Sequence, residues 1–333
     1  MEKAVPPRVK SPKIAAIIPA YKVSAHVLDV IAKVGSEVQK IYVVDDACPA
    51  GSGKLVQSQC KDPRVSVLFS EKNHGVGGAT LKGFAKATSD GNEILVKLDG
   101  DGQMDPALIL RLVRPIVLGK ADYAKGSRFH SPANLKGMPA LRLLGNAGLS
   151  FLAKMASGHW SVMDPTNGFV ALHSSLLPLL ETEKISSRYF FENDMLFRLG
   201  LIQAAVQDVP MKASYGDEKS SLNVFHCLIT FPAMLAVRTG KRIFYRYFLR
   251  DFNVGTLLFL AGSALFFGGV AFGGYHWWKS IESGQVASSG TVMLAALPTM
   301  LGFQMLAFAL LFDIMNSPRE PIHPYLDTQD VGN

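Results

Sequence analysis

The sequence predicts an α/β domain with a mostly parallel sheet, followed by interfacial helices and two transmembrane helices. Three observations carry that prediction. Short apolar runs at 14–19, 41–45, 65–69 and 94–99 alternate with helical patterns near 24–34, 52–60, 77–88 and 106–118. Such alternation is the pattern of parallel strands joined by helical crossovers. The residues that close these runs are Pro19-Ala20-Tyr21, Asp45-Asp46 and Asp99-Gly100-Asp101, and open α/β sheets bind ligands beyond the carboxyl ends of their strands. Finally, the C-terminal third holds two long segments with no Asp, Glu, Lys or Arg.

Composition narrows the possibilities. Of 333 residues, 48% are hydrophobic and only 18% charged, which excludes disorder and fits a chain partly in lipid. The three cysteines, Cys48, Cys60 and Cys227, cannot form a disulfide framework. A net charge of +7 implies anionic partners, and its location decides which.

Residues 1–13 contain prolines and basic residues but no apolar core, so they do not read as a signal peptide. The α/β domain is expected at 14–221 and to stay in the cytosol. Residues 222–252 form an amphipathic juxtamembrane segment, where Phe225, Ile229, Phe231, Leu235 and Val237 precede a basic and aromatic run at 241–247. This is the pattern of a helix in the headgroup layer. The first span is expected at 253–278, an external loop at 279–290, the second span at 291–315 and a cytosolic tail at 316–333. The 25 uncharged residues 254–278 reach about 37 Å as a helix at ~1.5 Å per residue, enough for a hydrocarbon core of ~30 Å. A buried core helix is the competing reading. Arg238, Lys241, Arg242, Arg246 and Arg250 precede the first span, whereas the loop has only Lys279 against Glu282. The positive-inside rule therefore places the domain and the tail in the cytosol. The basic excess abuts a membrane span, so no nucleic-acid partner is needed to explain it.

Asp99-Gly100-Asp101-Gly102-Gln103 directly follows an apolar strand. Two carboxylates one residue apart can hold a hard divalent cation through oxygen. An EF-hand is excluded, because the twelfth loop position is Leu110 where a bidentate Glu is required. An ordinary Asp-Gly turn is the bland alternative. Lys72-Asn73-His74-Gly75-Val76-Gly77-Gly78 lacks dinucleotide-fingerprint spacing and follows the third strand, yet its N–H groups at a helix start could touch a phosphate or base. Asp45-Asp46 can hydrogen-bond a ribose or base, although such pairs are more often turns. The histidines show no metal-ligand spacing.

Together, Ile17-Ile18-Pro19-Ala20-Tyr21, Val43-Val44-Asp45-Asp46, Asn73-x-Gly75-x-Gly77 and Asp99-x-Asp101-x-Gln103 resemble family 2 glycosyltransferases with the GT-A fold. Gly126-Ser127-Arg128, Arg142, Asn146, Asp164-Pro165-Thr166-Asn167-Gly168-Phe169 and Phe191-Glu192-Asn193-Asp194 are similar to the polyprenyl-phosphate branch, the dolichyl-phosphate mannose synthases and bacterial GtrB-like enzymes. Gly302-Phe303-Gln304 and Arg319-Glu320-Pro321 extend the likeness to the bacterial members. The sequence departs from that pattern at 309–314, ALLFDI in place of a Gly-Glu-Tyr, and in a longer segment at 215–221.

The resemblance implies a metal-dependent, inverting transfer of a sugar from a UDP- or GDP-linked donor to polyprenyl phosphate, for the cell envelope. Pro19, Tyr21, Asp45, Asp46, Asn73, Gly75, Gly77 and Asp99 would bind the nucleotide sugar. Asp99, Asp101 and Gln103 would hold Mg2+ or Mn2+. Arg128, Arg142, Asn146 and Lys219 would bind the lipid phosphate, with a surface salt bridge as the alternative role of either arginine. Glu192 and Asp194 would join Asp99 and Asp101 as catalytic residues, orienting sugar or metal, with helix capping as their alternative. The expected location is the inner (cytoplasmic) membrane, multi-pass, with a homo-oligomer possible. A processive polysaccharide synthase is the competing enzyme reading, but its Gln-x-x-Arg-Trp motif is absent. A catalytically inactive membrane scaffold is the non-enzymatic alternative.

Overall fold

The computed structural model describes residues 12–129, 140–211 and 224–326, with the side chains of 140–144, 146 and 224–229 outside that description. It comprises two compact units, Met1–Arg238 with Pro318–Asn333, and Thr239–Ser317.

The first unit is built on a seven-stranded sheet: β1 (Ile14–Ala20), β2 (Lys40–Asp45), β3 (Val65–Phe69), β4 (Ile94–Lys97), β5 (Tyr123–Ser127), β6 (Val170–His173) and β7 (Val206–Pro210), in spatial order β3-β2-β1-β4-β6-β5-β7. Strands β1 to β4 are mutually parallel, β5 is parallel to β7, and β6 is antiparallel to both neighbours. The four apolar runs thus form the strands the sequence predicts, although the fourth ends at Lys97. The connecting helices are α1 (Val27–Ala32), α2 (Ser52–Gln59), α3 (Gly75–Ser89) and α4 (Ile109–Val117).

Both sheet faces are covered, as continuous apolar runs require. One face packs Ala16, Ile18, Val43, Val96 and Ala124 against α1 and α4, through Val30, Ile31, Leu112 and Ile116. The other packs Ile17, Val44, Leu95 and Tyr123 against α3 and α6 (Phe191–Leu201), through Phe84, Met195 and Leu199. Strand order reverses between β1 and β4, which opens a topological switch point at their carboxyl ends. Helix α5 (Ala140–Ser157) precedes β6, and α7 (Val224–Phe244) follows the soluble elements. The tail returns as α10 (His323–Leu326). Fully buried Asp122 accepts the N–H groups of Ile322 and His323 and faces His323 Nδ1 at 2.9 Å, while the His323 ring stacks on His173.

The second unit contains α8 (Val254–Ser283) and α9 (Ser289–Met315). Asn253 opens α8 with a capping box shared with Thr256. Buried Gly255, Gly262 and Gly269 repeat every seven residues along α8, and Gly302 is buried on α9, small residues that let two helices approach closely. Both helices are long and apolar enough to cross a membrane, and only 22% and 6% of their most apolar windows are buried inside the molecule. A core helix of a soluble protein does not leave Phe267, Leu294 and Phe303 about two-thirds exposed. A π-helical stretch, Tyr245–Arg250, leads into α8. Asp313, near the end of α9, accepts both guanidinium nitrogens of Arg242 at 2.8 and 2.9 Å and the Tyr247 hydroxyl at 2.6 Å.

Candidate active site

The predicted site residues at the carboxyl ends of β1, β2 and β4 come together at the switch point, but their partners differ. Asp45 and Asp46 are buried, at 4% and 2% exposure. Asp45 accepts the N–H groups of Cys48 and Gly53 at 2.7 and 2.6 Å. Asp46 accepts those of His74 and Gly75 at 2.8 and 2.7 Å, and Asn73 Nδ2 donates to the Asp46 carbonyl. The N–H groups at the start of α3, expected to touch a phosphate or base, are largely engaged within the fold. His74 and Gly75 serve Asp46, while Gly77 and Gly78 both donate to the Ser187 carbonyl. A helix start leaves four N–H groups to satisfy, and here the fold itself supplies acceptors for those of His74, Gly75 and Gly77.

Pro19 lies inside β1, and Tyr21 stands exposed just beyond it. Lys22 and Ala47, which follow the ends of β1 and β2, adopt positive φ values of 60° and 53°. Left-handed backbone at non-glycine residues costs energy and is concentrated at ligand-binding edges.

The acidic turn after β4 is held differently. Asp99 Oδ1 lies 2.7 Å from Lys97 Nζ. Asp101 Oδ1 accepts the Gln103 N–H at 3.0 Å, and Gly102 takes φ +79° to close the turn. Among the described residues no three His, Cys, Asp or Glu side chains cluster as metal ligands. The donors expected from the sequence, Asp99, Asp101 and Gln103, are two carboxylates and an amide oxygen. Hard oxygen ligands of this number suit Mg2+ or Mn2+ when a substrate's phosphates complete the coordination.

Arg128 follows β5. Its Nε and Nη2 bind the fully buried Asp164 carboxylate at 2.7 and 3.0 Å, and its N–H donates to the same group at 3.2 Å. An arginine expected on lipid phosphate is thus also a fixed partner of the 164–169 loop, the salt-bridge alternative in a partly buried form. Arg142 and Asn146 lie on α5, but their side chains are outside the described residues, as is Lys219 altogether. Asp194 is fully buried and accepts from Arg238 Nε at 2.7 Å and from the Ser186 N–H at 2.8 Å. Its carboxylate joins α6 to α7 and to the preceding loop. Glu192 is 8% exposed and lies 3.6 Å from Lys97 Nζ.

Sequence reasoning missed the two lysines. Lys97 and Lys125 are buried, at 1% and 0% exposure. Burial opposes the charge on Lys97, but Asp99 and Glu192 outweigh it and raise its pKa. Burial pulls the Lys125 pKa down to about 8, with Glu192, Asp164 and Asp208 resisting. A lysine interrupting an otherwise apolar strand was the available signal, since lysine is almost never fully buried unless paired.

With this geometry in place, known proteins give the chain its family. The glycosyl transferase family 2 profile matches residues 15–178. An undecaprenyl-phosphate mannosyltransferase from Micrococcus luteus is 30% identical over 186 residues, 54% of this chain and 75% of that protein. A UDP-N-acetylglucosamine–dolichyl-phosphate N-acetylglucosaminyltransferase from Methanococcus voltae is 29% identical over 241 residues, 68% of this chain and 96% of that protein. The chain belongs to glycosyl transferase family 2, and it is a glycosyltransferase with a GT-A-type fold. The fold is also that of glucosyl-3-phosphoglycerate synthase from Mycobacterium tuberculosis, solved with Mn2+, UDP and phosphoglyceric acid. That likeness has a TM-score of 0.53 at 19% identity and covers 69% of this chain and 79% of that one.

Proposed function

We propose that the protein transfers a sugar from a UDP- or GDP-linked donor to the phosphate of a membrane polyprenol, with inversion at the anomeric carbon. The observation that carries the reading is an Asp99-x-Asp101 turn at the switch point of a family 2 domain whose chain continues into two long apolar helices. Similarity to enzymes named for dolichyl and undecaprenyl phosphate supports the acceptor class.

Asp101, with Asp99 and Gln103, would hold a divalent cation, whose chemistry here is to neutralise the departing diphosphate. A phosphate monoester has its second pKa near ~6, so the acceptor is largely dianionic at neutral pH and needs no strong base. One of its oxygens bonds to the anomeric carbon while the bond to the diphosphate breaks. The nucleoside diphosphate leaves with the electron pair. Arg128, Arg142, Asn146 and Lys219 would orient the lipid phosphate, a task suited to the guanidinium fork. Glu192 would orient the sugar from beneath. Asp194, bound to Arg238, would act by holding α6 in place. Asp45, Asp46, Asn73, Gly75 and Gly77 would shape the nucleotide pocket through the loops they close, with Pro19 and Tyr21 at its edge. The basic residues before α8 support a catalytic domain and tail on the cytosolic side of the inner membrane.

The test is a panel of radiolabelled UDP- and GDP-sugars given to membranes containing the protein and polyprenyl phosphate. One donor should yield lipid-soluble label that chelator removes and Mn2+ or Mg2+ restores. No lipid label with any donor, or label indifferent to chelator, contradicts the proposal.

A further inference from the structure

Lys97 and Lys125 both pair in register with Val170 of β6, from opposite sides. Their side chains therefore rise on the same sheet face, beneath the start of α6. Lys97 Nζ meets three groups: Asp99 Oδ1 at 2.7 Å, the Gly168 carbonyl at 3.2 Å and Glu192 Oε1 at 3.6 Å. Lys125 Nζ donates to the neighbouring carbonyl, that of Asn167. Two consecutive carbonyls of the 164–169 loop thus rest on two buried lysines. Gly168 is what allows the approach. A Cβ there would stand 2.5 Å from Lys97 Nζ and 3.0 Å from Asp99 Oδ2.

We propose that Lys97 is a positioning residue. It clamps Asp99 to the 164–169 loop and to Glu192, leaving the cation chiefly to Asp101 and fixing the acidic turn against the side of the pocket that carries Glu192 and the Arg128–Asp164 pair. The inference rests on the metal-dependent donor site proposed above. Its geometry is one buried cation between two carboxylates from distant segments, β4 and α6, with a backbone carbonyl from a third. Removing Lys97 unhooks the turn from the loop without deleting a ligand of the cation.

The variants are Lys97→Met, Gly168→Ala and the two combined, in the full-length protein. Calorimetry with UDP or GDP plus Mn2+ gives affinity and the number of binding sites, and transfer is expressed per binding site. Metal–nucleotide affinity should stay within about threefold of wild type, while turnover per site falls about tenfold to a hundredfold. The double variant should lose no more than Lys97→Met alone, because the contact at Gly168 that Gly168→Ala disturbs is one of the three that Lys97→Met removes. Gly168→Ala keeps every charge, so it carries the test if Lys97→Met does not fold. Turnover per site within about twofold of wild type, a collapse of metal–nucleotide affinity at unchanged turnover, or multiplicative losses in the double variant would each overturn the clamp. Wild-type protein that binds neither nucleotide in a metal-dependent way would remove the underlying site reading instead, before any variant is compared.

Discussion

Asp45 and Asp46 at the end of β2, and Asp99, Asp164, Glu192 and Asp194 further along the chain, carry the same carboxylates and meet opposite kinds of partner. Asp45 and Asp46 are bound by backbone N–H groups of the loops and helix starts that follow β2 and β3. Asp99, Glu192, Asp164 and Asp194 face Lys97, Arg128 and Arg238. The first arrangement closes turns and fixes loop shape. The second assembles a charged floor from segments far apart in the chain. Proximity to a strand end therefore does not by itself make a carboxylate a ligand for substrate; what already occupies its oxygens does.

Four changes test that contrast. Asp101→Ala should lower transfer by roughly 10³-fold, the scale of losing transition-state charge stabilisation, while leaving the melting temperature near wild type. Normal activity, or a large loss of stability, would place Asp101 with the turn-closing carboxylates. Arg128→Ala leaves Asp164 buried without its cation, and one-sided removal of a buried pair costs about 3 kcal/mol or more. Because Arg128 is partly exposed, with 34% of its side chain accessible, the loss falls at the lower end, read from denaturant or thermal unfolding. Asp46→Ala strands two N–H groups and should cost about 2 kcal/mol, with the surviving folded protein still binding Mn2+. A variant as stable as wild type would mean that water replaces the carboxylate there.

The effect smallest within any one pH unit is the pH dependence of Lys125. Its folded pKa of about 8 lies below the ordinary 10.5, so between those values the unfolded chain holds more protons. Stability therefore rises with pH in that window, by roughly 1 kcal/mol per pH unit at most. Unfolding of wild type and Lys125→Met compared from pH 7 to 10 should show wild type gaining on the variant above pH 8. A flat difference would mean that the carboxylates hold Lys125 at its ordinary pKa.

How legible this was in the sequence depends on the kind of partner. The strands at 14–19, 41–45, 65–69 and 94–99 were readable because continuous apolar runs between turns leave few other folds. β5, Tyr-Ala-Lys-Gly-Ser, was not, because a buried lysine and a glycine disguise a core strand. The acidic turn was readable because both carboxylates lie within five residues. Its clamp was not, because Lys97 meets Gly168 and Glu192, 71 and 95 positions away, and Asp194 meets Arg238 across 44. Local patterns name residue types; the sheet order decides which of them meet.

The most direct test of the central claim is an acceptor competition with purified protein, the active donor and Mn2+. Polyprenyl phosphate, the matching polyprenol and a soluble phosphate acid such as phosphoglyceric acid are offered together. All label should enter the lipid phosphate and be released by mild acid as free sugar, with none on the polyprenol. Label recovered in the soluble acid, with the lipid untouched, would keep the glycosyltransferase and contradict the membrane acceptor.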